Sequence, residues 1–142
     1  MKAFLNSLPI SPVFDYISMG KFMSYDLAAP KSFWEASDEL RKELTGGCGP
    51  GKVGDYFVPD KMYCLSMKAA CVIHDWCFTA WNNKPGFNLA NNLFKNNMVR
   101  INNQHKGNEF IKRLRLKRIK KYYLAVHYFG ESAFYGNHLR YV

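Results

Sequence analysis

The chain has 142 residues, 48% hydrophobic and 16% aromatic, with a formal net charge of +9 and a pI near 9.4. That length suits one domain with a core of its own, and the composition excludes a disordered or collagen-like chain. The positive balance calls for an anionic partner, either a phospholipid surface or a nucleic acid, and charge alone does not choose between them.

In chain order, the first thirty residues are ambiguous, because Pro9, Pro12, Gly20 and Pro30 break any pattern. The opening MKAFLNSLPISPVF has one lysine and a short apolar patch interrupted by Asn6, Ser7, Pro9 and Pro12, a poor signal peptide. No apolar run approaches the ~18–20 residues of a membrane span. The expected location is the cytoplasm at synthesis; a mature form, export by another route and virion delivery stay open. SFWEASDELRKELTGG predicts a helix, with Ser32 and Glu35 at capping-box spacing and Gly46 at the stop. Gly46 to Pro59 is glycine- and proline-rich and reads as a long shaped loop, with VGDYFV as the best strand candidate. Asp60 is placed to cap a helix running to about Trp81, which the NNKPG turn would end. Asn88 suits the cap of another, roughly Leu89 to Ile101. After a break at Lys106–Asn108 the last helix runs from about Glu109 to Phe129, closed by Gly130. The expected class is mainly α, a single domain over 1–142 with no internal repeat.

The densest chemistry is CVIHDWC, Cys71 to Cys77. A zinc reading would use Cys71, His74 and Cys77, with Cys48 or Cys64 as fourth ligand. A redox reading needs Cys-x-x-Cys beside a βαβ pattern, and neither occurs. The plainest reading is buried helix cysteines around a core histidine. A Walker A loop is excluded, because GPGKVGDY lacks the Gly-x4-Gly-Lys-Ser/Thr spacing.

Upstream stands CGPG, Cys48 to Gly51, and downstream ANNLF, Ala90 to Phe94. CGPG, CVIHDWC and ANNLF, in that order, resemble the calcium loop, the active-site helix and the following helix of the phospholipase A2 superfamily, closest in pattern to short microbial, phage or viral members. The resemblance spans about residues 45–101. It implies two antiparallel core helices, a glycine-rich calcium loop, and calcium-dependent hydrolysis of the sn-2 ester of phospholipids. By resemblance, the carbonyls of Gly47, Gly49 and Gly51 and the carboxylate of Asp75 would hold calcium. His74 would act as general base on water, a backbone N–H near Gly49 would help the oxyanion, and Cys48 would bridge to Cys71. Calcium takes six to eight oxygen ligands, and glycines can turn carbonyls inward, so the loop's chemistry agrees. If Asp60–Trp81 were one straight helix, Cys64 and Cys77 would lie roughly 20 Å apart and could not pair.

Two departures from the family pattern stand out. Asn91 occupies the position of the aspartate that orients the histidine; its amide oxygen can fix the tautomer but offers no charge, which points to a slow enzyme or a non-catalytic relative. Asn97 is a second candidate for a buried polar partner. Phe78 replaces a tyrosine, for which Tyr122 or Tyr123 could substitute. The basic run KRLRLKRIKK, Lys112 to Lys121, reads as a solvated helix face, an anionic-lipid dock or a nucleic-acid surface. The residues expected to face a membrane are Lys112, Arg113, Lys117 and Lys120, with Trp76, Trp81 and Phe87 as an apolar rim.

Overall fold

A computed structural model describes residues 10–45, 61–81 and 84–130. Among them are five helices and two small antiparallel sheets, a mainly helical fold. In chain order the elements are β1 (Ile17–Phe22), β2 (Tyr25–Pro30), α1 (Lys31–Glu35), α2 (Asp38–Leu44), β3 (Lys61–Met62), β4 (Leu65–Ser66), α3 (Lys68–Ala80), α4 (Lys84–Gln104) and α5 (Glu109–Phe129).

The centre is α3, in which every residue from Ala69 to Ala80 is buried. A helix apolar on all sides has to be wrapped by its neighbours, and α2, β2 and α4 do this. Its pairing with α4 is antiparallel, since Phe78 meets Phe87 while His74, one turn earlier, meets Asn91 one turn later. On α4, Phe87, Ala90, Phe94, Met98 and Ile101 recur at three- and four-residue spacing and are all buried. Full burial of each large side chain in that stripe contributes about 1.5–3 kcal/mol. The last helix covers the other side of α4 with Ile119 and Val126. It begins and ends where the sequence predicts: the Asn108 side chain accepts from the Phe110 N–H, and Gly130 is the C-cap.

Within the first thirty residues, ambiguous in sequence, 17–30 form the β1–β2 hairpin, in full register from Ile17↔Pro30 to Phe22↔Tyr25. Its two turn residues, Met23 and Ser24, have φ of 50° and 73°, which L residues seldom adopt. Gly20 is required by a close approach, because a Cβ there would lie 2.8 Å from the Trp34 ring. The outer edge of β2 is closed by two amides from α4. Asn97 accepts from the Ala28 N–H at 2.9 Å and donates to its carbonyl at 2.7 Å, and Gln104 does the same for Asp26 at 2.8 Å in both directions. Asn97 therefore serves the sheet, not the histidine.

Three predicted helix boundaries need correction. The helix expected from Ser32 is two helices, broken at Ala36 and Ser37, and the true cap is Ser37, whose hydroxyl accepts from the Leu40 N–H. Arg41 then caps the end of α1, donating to the carbonyls of Phe33 and Trp34 with its guanidinium over the Phe33 ring. The helix expected from Asp60 starts at Lys68 instead; residues 61–66 form the β3–β4 hairpin, turned by Tyr63 and Cys64 at φ 48° and 66°. The straight-helix separation of Cys64 from Cys77 therefore has no basis, although both are free thiols. Finally, α4 begins at Lys84 rather than Leu89, taking the NNKPG proline into its first turn, where a missing N–H costs nothing. Asp60, the VGDYFV segment, Cys48 and the glycines at 47, 49 and 51 lie outside the described residues.

Ser32, freed from capping, anchors a buried network. Asp15 is 2% exposed; its Oδ1 accepts from the Ser32 N–H and its Oδ2 from the Ser32 hydroxyl and the Trp81 indole, at 2.8, 2.6 and 3.0 Å. The Ser32 hydroxyl in turn accepts from Trp76 Nε1 at 2.9 Å. Both tryptophans, and Phe87 with them, are 0% exposed, which corrects their expected place at a membrane-facing rim. The network pins the N-terminal segment and α1 to α3.

The cysteines differ in accessibility. Cys64 is exposed on the hairpin turn, whereas Cys77 is buried and its thiol is pushed well up, first by burial and then by the charge of Asp15. A thiol reagent at neutral pH should label Cys64 in the native protein and Cys77 only after unfolding. Labelling of both in the folded state, by mass spectrometry, would mean that α3 opens.

Candidate active site

His74 and Asn91 come from adjacent helices and meet in the core. His74 is 2% exposed, Asn91 is fully buried, and Nε2 lies 2.9 Å from Asn91 Oδ1. An amide oxygen only accepts, so Nε2 carries the proton and Nδ1 holds the lone pair. The ring is clamped by local helix geometry. Phe78, one turn along α3, sits 4.2 Å away by centroid and tilted; Phe94, one turn beyond Asn91 on α4, stacks at 4.3 Å and 18°. These apolar walls strip the imidazole of water, and burial lowers its pKa to about 4 although the Asn91 hydrogen bond favours the charged form. The ring is neutral at pH 7.

Asp75 follows on the next helical position, about 100° round, and is 7% exposed. Thr79 bonds back to its carbonyl oxygen at 3.0 Å. Lys68, Val72 and Asp75 share one face of α3, at i, i+4 and i+7. A cavity of about 450 Å³ opens at the Lys68 and Val72 end of that face, with Phe22, Met23 and Val72 as apolar walls and Arg41, Lys42, Lys68 and Asp38 as charged ones; neither His74 nor Asp75 lines it. Cys71 is disulfide-bonded, so it has no thiolate to give a metal. Among the described residues no group of three or more His, Cys, Asp or Glu could hold a metal ion.

Of the predicted site residues, the structure thus brings together His74 and Asn91, with Asp75 alongside in sequence. Gly47, Gly49, Gly51 and Cys48 lie outside the described residues. The hydroxyl of Tyr123, one of the two tyrosines expected to substitute at Phe78, donates to Asn92 at 3.0 Å. Arg113, Lys117 and Lys120 are exposed and Lys112 is half-buried. The stacking role of Phe94 was not anticipated, although its spacing of three from Asn91 on the apolar stripe is the signal for it.

Comparison of the chain with family models, with curated proteins and with solved structures finds no match. Among the described residues, no helix is long and apolar enough to cross a membrane.

Proposed function

We propose that this chain is a phospholipase A2-type hydrolase, with the fold of that superfamily, which cleaves the sn-2 ester of phospholipids in a calcium-dependent reaction. The observation that carries the reading is the 2.9 Å contact between His74 and Asn91. It joins the two motifs, CVIHDWC and ANNLF, at the positions where the resemblance expects a base and its support. The metal chemistry is compatible. Asp75 offers a buried carboxylate and the loop would add the carbonyls of Gly47, Gly49 and Gly51, an all-oxygen donor set that suits calcium better than zinc. When bound there, calcium would supply the charge that polarises the ester carbonyl and stabilises the oxyanion.

The chain's own residues account for the proton. Asn91 holds the tautomer in which Nδ1 is unprotonated. His74 takes a proton from water at Nδ1 as the water oxygen bonds to the sn-2 carbonyl carbon. When the tetrahedral species collapses, the ester C–O bond breaks and the lysophospholipid oxygen receives that proton. The products are a lysophospholipid and a fatty acid. The cavity lined by Lys68 and Val72 of α3 has apolar walls that would suit an acyl chain, and Arg41, Lys42 and Lys68 as cations for a phosphate.

A second reading, a non-catalytic relative that binds lipid or nucleic acid through its basic surface, is favoured by one observation: a ring 2% exposed with a pKa of about 4 is a weak, secluded base. Fatty-acid release from phospholipid vesicles, in calcium and in chelator, separates the two. His74→Gln should reduce calcium-dependent release by about 10²–10⁴-fold, the usual worth of general-base catalysis. Full activity in that variant would overturn the assignment, and no release by the natural chain would leave the binding reading.

A further inference from the structure

The basic run on α5 does not present all its cations to solvent. Arg115 is buried and donates to the carbonyls of Met62 and Tyr63, while Arg118 lies over the Tyr63 ring at 4.4 Å. Those two arginines hold the β3–β4 hairpin. The remaining surface has a definite order. Phe110, Arg113, Lys117, Lys121, Leu124 and Tyr128 follow one another at three- or four-residue steps, and every one is exposed. They form a single stripe directly opposite the buried Arg115, Ile119 and Val126. The cations occupy its middle and the apolar groups its two ends: Phe110 is 65% exposed, Leu124 47% and Tyr128 72%. The stripe is about 27 Å long at a helical rise of ~1.5 Å per residue. Beside it, between α4 and α5, runs a groove of about 310 Å³ with Val99 and Leu116 as apolar wall and Lys95, Lys117 and Lys120 as cationic wall. After Glu109, α5 carries no acidic residue.

We propose that this outer stripe of α5 lies flat on an anionic phospholipid surface, the lysines and arginine at the phosphates and Phe110, Leu124 and Tyr128 dipping into the acyl boundary. The charge selects an anionic partner, and the apolar ends select lipid over nucleic acid. A phosphate backbone would give Leu124 and Leu116 no apolar surface to bury against, whereas a bilayer interface accepts both kinds of side chain along one helix. The proposal deepens the hydrolase reading by naming its docking surface, but it is tested without turnover, so that either can fail alone.

The experiment is co-sedimentation of the full chain, in chelator, with vesicles of phosphatidylglycerol or of phosphatidylcholine. Binding should occur on phosphatidylglycerol only and weaken as salt is raised. Lys117→Glu with Lys121→Glu should weaken it at least tenfold, whereas Lys21→Glu with Lys31→Glu, an equal change of net charge at exposed positions away from the stripe and the cavity, should change it less than twofold. Phe110→Ser with Leu124→Ser should also weaken binding, with the salt dependence retained. All substituted positions are exposed, and circular dichroism confirms the fold of each variant. Equal losses from the two charge pairs would overturn the docking stripe. So would unchanged binding in the serine variant, or tighter binding to a DNA duplex than to the vesicles at the same salt.

Discussion

Replacing Asn91 with aspartate is expected to accelerate calcium-dependent fatty-acid release by roughly 10²–10³-fold. In hydrolases of the serine class, the opposite change behind the catalytic histidine costs about 10⁴-fold, partly through the wrong tautomer. Here the Asn91 oxygen already faces Nε2, so the tautomer is in place and only the charge remains to be gained. A carboxylate at that distance would stabilise the imidazolium that forms as water is deprotonated. The pH dependence provides a second readout. His74 is held at about 4, below its ordinary 6.5, so between these values the unfolded chain takes up a proton that the folded chain does not. Stability therefore falls as pH drops from about 6.5 towards 4, by roughly 2–4 kcal/mol for this ring. In Asn91→Asp the pKa rises, that loss shrinks, and the acid limb of the rate profile moves to higher pH. Initial rates and urea denaturation across pH, the latter without calcium, measure both. An unchanged rate with an unchanged acid limb would remove residue 91 from the proposed mechanism.

The largest stability effect is expected at Asp15. Asp15→Ala should cost about 3–5 kcal/mol, because it leaves the buried Ser32 N–H and Trp81 indole N–H without their acceptor and the Ser32 hydroxyl without its partner. A domain of this size has only about 5–15 kcal/mol in total, so the variant would sit near its unfolding threshold. Asp15→Asn retains the shape and one acceptor oxygen but turns an amide NH₂ towards donors, and should cost roughly 2–3 kcal/mol. Urea denaturation followed by tryptophan fluorescence reads both, since Trp76 and Trp81 report on the network directly. A loss below about 1 kcal/mol in Asp15→Ala would show that the carboxylate is not what ties α1 to α3.

How far these features could be read from the sequence depended on whether their cause was local. The last helix was legible at both ends because Asn108 and Gly130 act within one turn of the residues they bound. Asn91 stands beside the apolar stripe of Ala90, Phe94, Met98 and Ile101, a local pattern that turns it towards the neighbouring helix, where it meets His74. Ser32 was misread because a capping-box spacing says nothing of a carboxylate seventeen positions earlier in the chain that binds the hydroxyl more closely. Trp76 and Trp81 look like interfacial aromatics until Asp15 and Ser32 are found accepting from both indoles. The two hairpins escaped notice because Met23–Ser24 and Tyr63–Cys64 hold positive φ without the glycine or asparagine that normally announces such turns.

The amides of Asn97 and Gln104 have a consequence beyond stability. A strand edge exposes donors and acceptors that invite another chain to extend the sheet, and natural proteins block such edges with charge, proline or a covering element. Here the blocking is done by two side chains of a helix, each reproducing the donor–acceptor pair of an absent neighbouring strand. Their loss would uncover Asp26 and Ala28 together as a template for β-addition. The outcome to watch for would be self-association of a still-folded protein, so in this chain two asparagine-type amides guard solubility as well as shape.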